Sequence, residues 1–134
     1  MIIEAVLFDL DGVLVDACEW HYISLNKALL EVVGFEITRQ DHLIKYNGLP
    51  TTTKLKEMGI VGEEASLVWR LKQDLTLESI RENSKIANDK IELHEYLIKN
   101  NIKVCCVTNS IRETAEFMLE STGQLDLVDY LITN

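Results

Sequence analysis

Hydrophobic positions along this chain change their period several times, and each change marks an element. Ile2 to Phe8 is an almost unbroken apolar run, interrupted only by Glu4, and reads as a buried first strand. Residues 9–16 follow as a turn. Asp16 and Glu19 have capping-box spacing, so a helix is expected from there to about Val33. Leu25, Ala28, Leu29 and Val32 recur at i, i+3, i+4 and i+7, and Gly34 supplies the stop. Three more helical pieces are expected: Arg39 to Tyr46; a stretch from Thr51–Thr53, after Pro50, to Gly59; and Glu63 to Arg81, with Leu67, Val68, Leu71 and Leu75 on one face. No strand pattern interrupts residues 17–82, which read as a small helical bundle.

The pattern then alternates. Asn88 is placed to cap a helix carrying Ile91, Leu93, Leu97 and Ile98, which ends at Asn100-Asn101. Ile102 to Val107 is a strand, apolar except for Lys103. Ser110 and Glu113 have capping-box spacing before Ile111, Ala115, Met118 and Leu119, and Gly123 closes that helix. Tyr130 to Thr133 reads as a third strand. Strand, helical insert, helix, strand, helix, strand predicts an α/β fold: a Rossmann-like parallel sheet with an inserted α-helical bundle. The expected division is a sheet domain from residues 1–15 and 84–134, and an insert over 16–83. Ligands of such sheets bind beyond the carboxyl ends of the strands, here Asp9 and Thr108.

Composition narrows the functions. With 134 residues, 47% hydrophobic and 26% charged, the chain is an ordinary globular sequence with material for one main core. A net charge of −9 argues against nucleic acid and against an anionic membrane surface. It leaves room for a phosphorylated metabolite if a cation offsets the charge. No leader or membrane span is expected. Cys18, Cys105 and Cys106 show neither zinc nor CxxC spacing, which suits a reducing cytoplasm.

The chemistry concentrates in Phe8-Asp9-Leu10-Asp11-Gly12-Val13. Two carboxylates sit two residues apart where a strand runs out, and Gly12 permits the turn that brings both toward one pocket. One carboxylate there can attack phosphorus, and the other can protonate a leaving oxygen and then activate water. A solvated Asp-x-Asp-Gly loop is the bland alternative.

Asp9-Leu10-Asp11-Gly12-Val13 resembles the first motif of the haloacid dehalogenase superfamily, and Val107-Thr108-Asn109-Ser110 resembles its second. A helical insert directly after the first motif is similar to the branch of beta-phosphoglucomutase and phosphoglycolate phosphatase. The resemblance implies a magnesium-dependent phosphatase for a small phosphorylated metabolite, sugar phosphates included. It implies Asp9 as nucleophile and Mg2+ ligand, and Asp11 as general acid/base with its backbone carbonyl also on the Mg2+. It implies Thr108 and Asn109 as phosphoryl contacts, and the insert as a cap that reads the substrate. The loop Asn47-Gly48-Leu49-Pro50-Thr51, with Lys54 after it, lies where the family places its specificity loop, so Gly48 and Lys54 are candidate substrate residues. His21 matches a hinge position from which it can approach the site; a surface His is the alternative. Sparse basic residues near the loop favour a phosphatase over a mutase.

The resemblance also implies a later Lys and later acidic residues, and no Lys follows Lys103. The expectation is therefore an incomplete core whose first strand forms an apolar edge prone to self-association. Two alternatives stay open: an inactive fragment or binding module, and a phosphomutase. A response-regulator receiver domain is disfavoured by the long insert.

Overall fold

The structure, a computed structural model, describes residues 2–134. The chain divides into two compact units, one formed by the segment up to Asp16 with Ile80–Asn134, the other by Ala17–Ser79.

The first unit holds three strands, β1 (Ala5–Asp9), β2 (Lys103–Val107) and β3 (Tyr130–Ile132). They form a parallel sheet in the order β1-β2-β3. Crossover connections enforce the parallel arrangement: α5 (Asn88–Lys99) precedes β2, and α6 (Arg112–Ser121) joins β2 to β3. The central strand is the most buried, with Val104, Cys105 and Cys106 all inside. A parallel strand covered on both faces needs that continuous apolar run. Leu10, Leu14, Leu97, Ala115, Met118 and Leu119 complete the interior.

β1 departs from expectation. It begins at Ala5 instead of Ile2, and it is not a buried strand: Leu7 is 67% exposed and Ile3 56%. Among the described residues β1 pairs only with β2, so one of its edges carries no strand. Its burial alternates, with Val6 and Phe8 half-buried between exposed neighbours.

The second unit contains α1 (Cys18–Val33), the short α2 (Arg39–Asp41), a π-helical turn (His42–Tyr46), α3 (Thr51–Glu57) and most of α4 (Gly62–Asn83). Leu25, Ala28, Leu29, Leu55, Ile60 and Val68 form its core, with Val32, Ile37, Met58, Trp69, Leu71 and Leu75 packed against them. α1 stops at Gly34, whose φ of 79° lets its N–H reach the carbonyls of Leu29 and Leu30. Asn26, almost fully buried, then grips the chain beyond. Its amide donates to the Ile37 carbonyl and accepts from the Ile37 N–H, each at 2.9 Å.

The three expected side-chain caps do not form. Ala17, not Asp16, occupies the cap position of α1; Ala87, not Asn88, that of α5; and Ile111, not Ser110, that of α6. Ser110 spends its hydroxyl on Asp11. Two helical faces are also rotated from expectation. Leu67 is 42% exposed, and the buried line of α4 runs through Val68, Lys72 and Thr76 to Ser79 and Ile80. On α5, Leu93 and Ile98 face outward, and His94 and Leu97 face inward.

Candidate active site

The turn after β1 is built around Leu10. Its side chain is fully buried, and its carbonyl accepts the N–H groups of Val13, Leu14 and Val15. Gly12, at φ 80°, closes the loop by donating to the Val15 carbonyl at 2.8 Å. A side chain at that φ would strain the turn. With Leu10 anchored inward, Asp9 and Asp11 are left on either side of it. Asp9 accepts the Leu10 N–H at 2.7 Å through Oδ1.

Pairing across the sheet brings the second motif to the same edge. Asp9 is in register with Val107, so Thr108 is the first residue past β2. β3 fixes it there, since the Thr108 N–H donates to the Ile132 carbonyl at 2.9 Å. The buried Thr108 hydroxyl accepts the Ser110 N–H at 3.0 Å and donates to Asp11 Oδ2 at 3.4 Å. The Ser110 hydroxyl donates to the same Asp11 oxygen at 3.1 Å. Residues nearly 100 positions apart therefore meet on one carboxylate. Asn109, between them, is exposed at the mouth of the edge. Ser110 was missed as a site residue because its spacing to Glu113 read as a helix cap.

Cys106 lies beneath the site and is wholly buried. Its thiol is pushed up to about 11, first by burial, then by the negative charges of Asp9 and Asp11. It is a neutral packing group and cannot compete as a nucleophile at neutral pH.

His21, Gly48 and Lys54 belong to the helical unit. His21 Nδ1 lies 3.2 Å from the Lys72 ammonium. An ammonium only donates, so Nδ1 accepts there. Lys54 and Lys72 are both buried, each 5% exposed. Gly48 sits at φ 79° beside Asn47, whose Oδ1 accepts the Cys18 thiol at 3.7 Å. Lys72 was not read as a site residue. The apolar pattern of α4 put Leu67, Val68, Leu71 and Leu75 on the covered face, so nothing local marked Lys72 as buried.

Among the described residues, no group of three or more His, Cys, Asp or Glu side chains is arranged to hold a metal ion. Asp9 and Asp11 offer a smaller set of hard oxygen donors. That set fits Mg2+, which binds through one or two carboxylates together with phosphate oxygens and retained waters.

A family model described as haloacid dehalogenase-like hydrolase matches residues 6–134. A beta-phosphoglucomutase from Clostridium difficile is 27% identical, with a TM-score of 0.80 over 97% of this chain and 61% of its own. A second Clostridium difficile protein, assigned as a phosphatase, is 25% identical, with a TM-score of 0.74 over 100% of this chain and 62% of its own. CbbY from Rhodobacter sphaeroides, solved in complex with xylulose-(1,5)bisphosphate, is similar in fold, with a TM-score of 0.86 at 15% identity over 99% of this chain and 64% of its own. The chain thus spans about three-fifths of the length of these structures.

Proposed function

The chain belongs to the haloacid dehalogenase-like hydrolases, and from that premise we propose a magnesium-dependent phosphomonoester hydrolase with Asp9 as its nucleophile. The observation that carries this reading is the meeting of Thr108 and Ser110 on the Asp11 carboxylate, beside Asp9 at the carboxyl edge of the sheet. A carboxylate oxygen of Asp9 attacks phosphorus. The bond to the leaving oxygen breaks, and Asp11 supplies that oxygen with a proton. Asp11 then takes a proton from water as the water attacks the phosphorus of the aspartyl phosphate. Phosphate leaves and the Asp9 carboxylate is restored. Thr108 and Asn109 hold the phosphoryl oxygens.

Electrostatics explains why a cation is part of the proposal. Asp9 must approach a phosphate dianion, and each like-charged pair at 4 Å repels by ~4 kcal/mol at an effective dielectric near 20. Mg2+, held by Asp9 and Asp11, offsets that repulsion when bound.

We assign substrate recognition to the helical unit, read as the family's cap, through Gly48, Lys54 and His21, with Lys72 added. Two buried ammonium groups in this unit support an anionic substrate, a small phosphorylated metabolite such as a sugar phosphate. The same two lysines support a second reading, a phosphomutase, which would return an isomerised phosphate ester instead of inorganic phosphate. No described helix is long and apolar enough to cross a membrane. The three thiols form no disulfide, which supports our assignment to the cytoplasm.

The test is release of phosphate from p-nitrophenyl phosphate with and without Mg2+. Metal-dependent turnover is the expected result. None, with any phosphoester tried, would favour an inactive binding module.

A second expectation concerns the β1 edge. Its unpaired backbone and exposed Ile3 and Leu7 make the 134-residue chain self-associate at micromolar concentration. Light scattering should give a mass above the monomer, reduced by Leu7→Lys; a monomer in both would refute it.

A further inference from the structure

One buried polar group of the sheet unit has no part in the chemistry above. His94 of α5 and Gln124, just past α6, are both fully buried, and His94 Nε2 lies 2.9 Å from Gln124 Oε1. The Gln124 amide nitrogen donates twice, to the Leu14 carbonyl at 3.0 Å and to Thr122 Oγ1 at 2.9 Å.

The proton positions follow from the partners. A carbonyl can only accept. Thr122 directs its own proton to the Met118 and Leu119 carbonyls, at 2.8 and 3.2 Å, so toward Gln124 it accepts. Both amide hydrogens are thereby committed, and the amide oxygen faces His94. His94 must then donate from Nε2. Its Nδ1 is buried with no hydrogen-bond partner, where a proton would be left unpaired. The ring is a neutral Nε2–H tautomer.

This pair touches both ends of the catalytic turn. The His94 ring meets Phe8 edge-on, at 5.7 Å between centroids, and Phe8 directly precedes Asp9. Gln124 holds the carbonyl of Leu14, beyond Asp11 and Gly12. We propose that Gln124, oriented by His94, is a positioning residue that keeps the Asp9–Leu14 turn in its working geometry. The kinetic part of this proposal rests on Asp9 being the nucleophile; the structural part does not.

The experiment compares the parent protein with Gln124→Leu and with the double variant His94→Leu/Gln124→Leu. The single change strands the His94 donor and should lower the melting temperature. The double change replaces both partners by apolar groups and should recover much of that loss. Neither restores the tether on Leu14. In both variants, amide exchange at Gly12, Leu14 and Val15 should rise about 10-fold or more relative to the β2 amides. The kcat should fall by about 10-fold or more with KM nearly unchanged. Recovery of kcat and of turn protection along with stability in the double variant would show a packing role only, and would overturn the proposal. So would turn exchange equal to the parent's, or a His94 ring protonated at Nδ1 in nitrogen NMR spectra. If the parent shows no turnover, the hydrolase reading fails, and exchange with the NMR tautomer still decides the structural part.

Discussion

Replacing Asp9 by Asn should reduce phosphoryl transfer by at least ~1,000-fold while leaving the fold intact, because the amide cannot act as the attacking carboxylate. The substitution is close to isosteric. Asp9 ends β1, and its Oδ1 accepts the Leu10 N–H, which an Asn oxygen can reproduce. Circular dichroism and the melting temperature should therefore match the parent. Cys106 provides an internal check that the charge has gone. Asp9 is one of the two negative charges that add to burial in raising its thiol. The thiol in the variant should titrate below the parent's about 11 but stay elevated, since burial is the larger cause. Turnover within a few-fold of the parent would exclude Asp9 as nucleophile.

Acidification should weaken the helical unit through His42. This ring is 1% exposed, at the start of the π-helical turn. It is lowered to about 4, chiefly by burial, then by the positive charges of Lys54 and His21, with Cys18 and Glu19 pulling weakly the other way. Its Nε2 lies 3.8 Å from the Cys18 sulfur, Tyr22 stacks at a tilt against the ring, and Nδ1 has no hydrogen-bond partner. A proton at Nδ1 would find no acceptor.

The sign follows from linkage. An unfolded His binds its proton near pH 6.5, and the folded one refuses it until about 4. Within that window the unfolded state holds more protons, so stability falls as pH falls. The loss approaches about 3 kcal/mol across the window, at about 1.4 kcal/mol per unit. Above the window His42 contributes no pH dependence, and below it no further loss. Chemical unfolding of the parent and of His42→Gln at about pH 7 and about pH 5 separates this effect from the carboxylates, which both proteins share. The parent should lose more than the variant on acidification. Equal losses would show that His42 is not the sensing group.

Local chemistry was the legible part of this protein. The apolar runs at the β1, β2 and β3 positions, the i, i+3, i+4 face of α1 and the Gly34 stop all act over a few residues, and each formed. Asp9-Leu10-Asp11-Gly12 was legible for the same reason, because its backbone hydrogen bonds run within residues 10–15. The capping motifs at Asp16, Asn88 and Ser110 were equally local in appearance and failed. A short polar side chain takes the best partner available, and for Ser110 that partner is Asp11, 99 positions away.

Local patterning in the chain set the order of elements, the parallel sheet and the pair of carboxylates at its edge. Which faces are covered depended on the packing of distant segments. Leu7 is left 67% exposed, and Lys72 is turned inward while Leu67 stays out. That packing also decided that Gln124 closes on a carbonyl 110 residues earlier in the chain. The reason is physical: helix and strand periods state which residues share a face, but burial and hydrogen-bond partnership depend on what the rest of the chain places against it.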